Sequence, residues 1–309
     1  MWSAEAPANI ALIKCIGRYA LNIPCNKSLS FTIDRFKSRV ELEIIDSDHD
    51  EFEPLESLGY LSLNMPESGI QKFLNHLSFL KKTFNCKACF LVKSANNFPN
   101  DTGITSSASS FAALTLCAVQ AFCEIQQSNM PSISDISKLS RIGSGSSCRS
   151  FFKPWAVWAG EGAQNINFPY QNLRYRLALL ETTPKKVSSS TAQVEALTSL
   201  LFNGRPERAT QRFKEFVAAM HEQDWHKAYI TAWQEFCDMH ALFATACSPF
   251  WYITSDTLEI LNKIHDFWIQ HKDGPIVTIG AGPNIHFLWR EDQEDLLDEF
   301  YGECEFVLM

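Results

Sequence analysis

Positive charge is in short supply in this sequence. It has 27 Lys and Arg against 35 Asp and Glu, a formal net charge of −8. A chain with that balance has no general affinity for the phosphate backbone of a nucleic acid. No run of 18 uninterrupted apolar residues occurs, so no membrane-spanning helix is expected. The opening MWSAEAPANIALIK has no basic stretch ahead of an apolar core, as a secretory leader requires, and a cytoplasmic protein is expected. The ten cysteines are scattered rather than packed into a short frame, so they read as reduced thiols, mostly buried as small apolar groups. Cys86 and Cys89 form a CxxC without a second pair, and the eight histidines contain no HExxH; a metal site has no support. His221 and His226, five apart, are expected to spread around a helix, and His240, in an apolar helical run, to be packed or capping. Also missing are a Walker A sequence, a GxSxG elbow and a complete Rossmann fingerprint: after Gly280-Ala281-Gly282, the position of the third glycine holds Ile285.

What is present is a globular composition. With 46% apolar and 20% charged residues over 309 positions, the chain can bury a sizeable core. Residues 6–16 and 28–45 are strand-like, and the alternation in SLSFTIDRFKSRVELEII suits strands with one buried face. The acidic stretch 47–57 reads as a solvated turn, and 69–84 as a helix with Ile70, Phe73, Leu74, Leu77, Phe79 and Leu80 at helical spacing. A strand at 88–93 leads into residues 94–122, where turn residues give way to an Ala-rich helix. Residues 131–142 suggest a short helix, 151–183 strands, 190–246 and 257–270 helices, 275–289 strand, glycine turn and strand, and CEFVLM a closing strand. Strands and helices mix without strict alternation, which indicates an α+β fold. A change in composition at TTPKKVSSST places the expected boundary between 1–183 and 184–309.

Two Gly/Ser elements carry the chemistry. In SANNFPNDTGITSSASSFAAL a polar loop runs into a helix N-terminus, whose free N–H groups and partial positive charge suit anions. Ser106, Ser107 and Ser109 add hydroxyls, and small side chains let backbone approach a phosphate. The second element, GSGSSCRS at 143–150, ends in Arg149, whose planar fork suits a carboxylate or phosphate. Each also has an ordinary explanation as a helix cap or an ion-pair partner. Lys14 stands alone in an apolar strand and could equally reach solvent at the strand end.

Taken in order, APANIALIK, LNIPCNKSLSFTI, SANNFPNDTGITSSASSFAAL, GSGSSCRS, KKVSSS and AGPN resemble the corresponding segments of diphosphomevalonate decarboxylases, members of the GHMP kinase superfamily. The resemblance spans most of the chain. It implies a GHMP kinase fold, with an N-terminal ribosomal-protein-S5-like, ATP-binding half and a C-terminal ferredoxin-like half around a deep cleft, commonly as a homodimer. It implies use of ATP and Mg²⁺ to phosphorylate the tertiary hydroxyl of 5-diphosphomevalonate, followed by loss of phosphate and CO₂ to give isopentenyl diphosphate. By the same resemblance, Ser94, Asn97, Gly103, Ser106, Ser107 and Lys186 would attend the nucleotide. Arg18, Ser144, Ser146 and Arg149 would bind the substrate's diphosphate and carboxylate. Lys14 and Arg149 would be catalytic, with Lys14 polarising the reacting hydroxyl. The sequence departs from the family at Gly280, where an aspartate normally precedes AGPN, at Cys15 and Ile16 beside Lys14, and at Asp101 in the phosphate loop. With the aspartate gone, a sister small-molecule kinase and a non-catalytic member are the alternatives.

Overall fold

The computed structural model describes residues 1–62, 65–99, 106–181 and 186–302. Its spine is an antiparallel ribbon of β1 (Trp2–Ile13) and β2 (Ser28–Ile45), with Trp2 opposite Leu42 and Ile13 opposite Leu29. The second half of β2 takes β5 (Cys89–Asn96) as a further antiparallel neighbour, and its first residues take β6 (Trp155–Ala159). β3 (Glu51–Pro54) joins β5 in parallel, β4 (Leu61–Ser62) joins it antiparallel, and β7 (Gly162–Asn165) closes on β6, giving seven strands. A second, three-stranded antiparallel sheet has the order β8 (Arg174–Ala178), β10 (Ile285–Trp289), β9 (Ile276–Ile279). Helices α1 (Glu67–Thr83), α2 (Ser106–Ile125) and α3 (Ile133–Gly143) belong to the first part. Helices α4 (Ser189–Ala196), α5 (Arg205–His221), α6 (Trp225–Ala244), α7 (Ser255–His271) and α8 (Glu294–Gly302) follow β8. The α+β class expected from the sequence is the class observed.

The ribbon serves two hydrophobic cores. Ala4, Ala6, Val40 and Leu42 pack with Phe73, Leu77 and Leu80 of α1 and with the apolar side chains of α2. Farther along, Ala8, Ile10, Leu12, Leu29, Phe31 and Ile33 join a core built with α5, α6, α7 and the second sheet. The handover coincides with an irregularity. Pro7 pairs with Lys37 but Ala8 with Ile33, so residues 34–36 drop out of the ladder; such a bulge bends the strand and leaves backbone groups unpaired. Asn97 repairs the damage: its Oδ1 accepts the Lys37 N–H at 2.7 Å and its Nδ2 donates to the Arg35 carbonyl at 2.8 Å.

Helix α2 meets the length and hydropathy of a membrane span without being an uninterrupted apolar run, yet 78% of its most apolar window is buried inside the fold. Apolar on nearly all sides, it is a core helix. The acidic segment 47–57 is not simply a solvated turn, because Glu51–Pro54 forms a parallel pair with β5. His221 ends α5 while His226 lies in α6, so the two are on different helices. The composition change near 184 and the closing CEFVLM fall at 182–185 and 303–309, outside the described residues. β8, ahead of that point in the chain, already belongs to the second sheet.

The second Gly/Ser element is the end of α3 followed by a turn of 3-10 helix, Gly145–Phe151. Glycine is required at its start by contact. A Cβ on Gly143 would collide with Phe111 of α2 and lie 2.6 Å from the ring of His76 of α1, and one on Gly145 would lie 2.6 Å from Trp158. His76 is buried, hydrogen-bonded to Thr115 at 2.9 Å, and burial pushes its pKa down to about 4. Neither Phe111 nor His76 can retreat without opening the core. Gly143→Ala is therefore expected to lower the unfolding free energy by about 1–3 kcal/mol through overpacking, measured by denaturant titration.

Candidate active site

β1 ends by delivering Lys14 into the interior, where 4% of its surface is exposed. Its Nζ donates to the Ala11 carbonyl at 2.6 Å and to Thr278 Oγ1 on β9 at 2.7 Å. Thr278 Oγ1 also donates to the Ala11 carbonyl at 3.2 Å. The backbone N–H of Lys14 donates to Glu235 Oε1 on α6 at 2.9 Å, and its carbonyl accepts from Asn26 at 2.9 Å. Main chain and side chain are thus gripped from three elements. Burial is the main force on the amine and lowers its pKa to about 7; Glu235 opposes that shift, while Arg149 and Arg205 add to it.

Arg149, also buried, is held by neutral acceptors. Nε donates to Asn9 Oδ1 at 3.1 Å and an Nη donates to Ser28 Oγ at 2.8 Å. Asn9 is fixed in turn by donating to Ser150 Oγ at 2.8 Å and to the Ser146 carbonyl at 3.3 Å. Ser28 Oγ donates to the Ile13 carbonyl at 2.7 Å, which ties Arg149 to the residue before Lys14. The guanidinium lies over Trp158, 5.6 Å from the ring centroid, and Arg18 lies over the same indole at 5.8 Å. Among the described residues no carboxylate forms an ion pair with Lys14, Arg18 or Arg149. Cationic groups buried without a counter-charge are costly, and their joint presence makes a site built for an anion.

The hydroxyls divide into two kinds. Ser144 and Ser146 are half-buried at the start of the 3-10 turn. Ser147 points inward and is used up locally, 2.6 Å from Ser140 Oγ and 2.6 Å from the Ser144 carbonyl. Ser140 also donates to the Phe111 carbonyl at 3.3 Å, joining this element to α2. α2 packs against both β1 and the 3-10 turn, so the two Gly/Ser elements are neighbours. α2 begins at Ser106, with Ser107 exposed, and its first turn is anchored by Ser109, 2.7 Å from Ser38 Oγ, which itself donates to Asn96 at 2.6 Å. Gly103 and Asp101 lie outside the described residues.

Two expected nucleotide contacts have other positions. Ser94 is fully buried within the sheet, between Val40 and Pro54, with no partner for its hydroxyl among the described residues. Asn97 uses both ends of its amide on the β2 bulge. Lys186 is exposed just ahead of Ser188, the N-cap of α4. That helix reaches the site through Gln193, which donates to the Cys15 carbonyl at 2.9 Å and accepts the Gly17 N–H at 3.2 Å.

AGPN is structural at its last two residues. Asn284 accepts the N–H groups of Leu180 and Glu181 at 2.8 and 3.1 Å, and Thr257 donates to the Pro283 carbonyl at 3.0 Å. Gly280 itself hydrogen-bonds through its backbone to the ring of His240, whose pKa burial pushes down to about 3 with help from Lys14, leaving a neutral imidazole. Asp273, the acid upstream of Gly280, is paired with Arg290 at 2.7 Å. No cluster of three His, Cys, Asp or Glu suited to a metal occurs among the described residues. Cys15 and Cys148 are buried thiols whose ionisation burial suppresses, Cys148 to about 12. Thr278, Glu235, Asn9, Ser28, Trp158 and Gln193 are not marked as site residues by any motif; Thr278 inside the apolar PIVTIG and Asn9 inside APANIALIK are the ones that stand out as polar residues in apolar strands.

Comparison with known proteins places the whole chain in one family. The diphosphomevalonate decarboxylase-like N-terminal domain matches residues 6–168, and the mevalonate 5-diphosphate decarboxylase C-terminal domain matches 177–304. A crystal structure of a mevalonate diphosphate decarboxylase from Legionella pneumophila is 42% identical, covers 100% of this chain and 99% of its own, and superposes with a TM-score of 0.95. A structure of MDDEF in complex with MVAPP, AMPPCP and magnesium is 26% identical over 99% of this chain and 95% of its own, with a TM-score of 0.87. The diphosphomevalonate decarboxylase of Debaryomyces hansenii is 27% identical over 94% of this chain and 80% of its own length. The chain belongs to the diphosphomevalonate decarboxylase family.

Proposed function

We propose that this chain catalyses the ATP-dependent decarboxylation of 5-diphosphomevalonate to isopentenyl diphosphate, a step of the mevalonate route to isoprenoids, and that it works as a homodimer in the cytoplasm. The observation that carries the reading is the set of cations, Lys14, Arg18 and Arg149, gathered beside two Gly/Ser elements with no carboxylate paired to them among the described residues. A substrate with a diphosphate at one end and a carboxylate at the other supplies the missing negative charge, and the relative bound to MVAPP, AMPPCP and magnesium supports the pairing of substrate and nucleotide.

In this reading Arg149, Arg18, Ser144 and Ser146 hold the anionic substrate. The start of α2, with Ser106 and Ser107, faces the nucleotide phosphates together with Gly103 and Lys186; Ser94 and Asn97 brace the strand and bulge behind them. Mg²⁺ enters with ATP, whose phosphates provide oxygen ligands, as is usual for an ion that keeps few protein contacts. Lys14 donates to the substrate's tertiary oxygen as it attacks the γ-phosphorus. The hydroxyl oxygen bonds to the γ-phosphorus and passes its proton to an oxygen of the transferred phosphoryl group, while the bond from that phosphorus to ADP breaks and ADP leaves. The C–O bond to phosphate then breaks while the electrons of the C–CO₂⁻ bond form the alkene, releasing phosphate and CO₂.

The absence of an acid at Gly280 limits the rate more than the reaction type. Phosphoryl transfer passes through a loose transition state in which positioning and charge stabilisation dominate, whereas a general base contributes about 10²–10⁴-fold. Purified protein with Mg-ATP and 5-diphosphomevalonate should release CO₂ and ADP in equal amounts; ADP without CO₂ would overturn the assignment. Lys14→Met should lower kcat by about 10²-fold or more, on the scale of losing one donor to a developing oxyanion. Because the protonated amine is the working form, kcat/KM should fall as pH rises through about 7, the pKa in the free protein. In kcat the same limb should lie at higher pH, because bound diphosphate favours the charged amine. Arg149→Lys, which loses the planar fork, should raise KM about tenfold or more with a smaller effect on kcat.

A further inference from the structure

Glu235 sits at the centre of a charged cluster. It is fully buried, as is Arg205, which binds both its oxygens at 2.5 and 3.1 Å. Arg212 adds a bond to Oε2 at 3.0 Å and another to Asp238 at 2.6 Å, and Arg208 holds Asp238 at 2.9 Å. A stability role needs only these pairs. Yet Oε1 also accepts the Lys14 backbone N–H, across 221 residues of sequence. A carboxylate anchored on α5 and α6 therefore ends on the residue that carries the cleft's amine. We propose that Glu235 is a positioning residue for Lys14, fixing its main chain at the end of β1 and supplying the field that keeps its amine charged.

This rests on the role given to Lys14 above. The groups that face the amine are Glu235 and His240 from α6, Arg205 from α5 and Arg149 from the 3-10 turn. His240 is neutral and the two arginines are fixed cations, so Glu235 alone opposes the loss of the proton. Removing its charge must make Lys14 more acidic. Arg212 screens that charge from the far side, so its removal must make Lys14 less acidic. A cluster whose charge does not reach the amine predicts neither movement.

The test is NMR titration of protein labelled with ¹³C at lysine Cε, with the Lys14 signal identified by its loss in Lys14→Met. Glu235→Gln should lower the Lys14 midpoint by about half a pH unit or more, within the range expected for a close opposite charge. Arg212→Gln should raise it. Its side chain is only 15% exposed but lies at the edge of the cluster, so this variant decides the matter if Glu235→Gln does not fold. A midpoint unchanged in Arg212→Gln, or shifts of the same sign in both variants, would overturn the proposal. The pH limb of kcat/KM should move with the NMR midpoint. If the midpoint moves and the limb stays, the positioning role stands and the catalytic reading of Lys14 fails.

Discussion

Positive charge buried opposite neutral oxygens is the constraint from which the rest of this structure follows. Arg149 rests on an amide and a hydroxyl, and Lys14 on a carbonyl and a threonine. None of these acceptors cancels a charge. A carboxylate in their place would form an internal salt bridge and silence the pocket toward external anions; neutral acceptors orient the cations while leaving their field available. The nearest buried carboxylate, Glu235, is already shared between two arginines and touches Lys14 only through its backbone. Keeping such groups dry without a counter-ion demands a rigid surround, and the three-way grip on Lys14 and the indole under Arg18 and Arg149 provide it.

Much of this was legible in the sequence because it is local. The apolar run of β1, the alternation in β2 and the turn-to-helix change ahead of α2 are patterns within a dozen or so positions, and strands and helix followed; the 3-10 turn that carries Arg149 had no such signature. The supporting residues were not legible because their partners are remote: Thr278 meets Lys14 across 264 residues and Arg149 meets Asn9 across 140. Asn97 is a nucleotide residue by the resemblance alone. Its amide is occupied by a bulge that no periodicity discloses, since residues 34–36 leave the ladder without any break in the strand-like sequence of β2. The pairing of Glu51–Pro54 was hidden for the same reason: a parallel edge strand draws its stability from a neighbour far along the chain.

Gly280 illustrates how much of a motif can persist without its most reactive member. Asn284 and Pro283 still anchor the turn to Leu180, Glu181 and Thr257. The backbone of Gly280 is engaged by His240, a neutral ring. The architecture of the turn therefore does not depend on a carboxylate at this position, and the burden of stabilising charge falls on the cations across the site.

The β1–β2 ribbon has a consequence for how such a chain can be divided. Ile10, Leu12, Phe31 and Ile33 lie in the first stretch of sequence, but the walls of their core come from α5, α6, α7 and the second sheet. Cutting between the two family-matched segments would strip those side chains of their cover and leave the amino-terminal piece with a greasy, unsealed flank. The two segments are thus one cooperative folding unit, and a protein engineer seeking a minimal nucleotide-binding fragment would have to redesign that flank first.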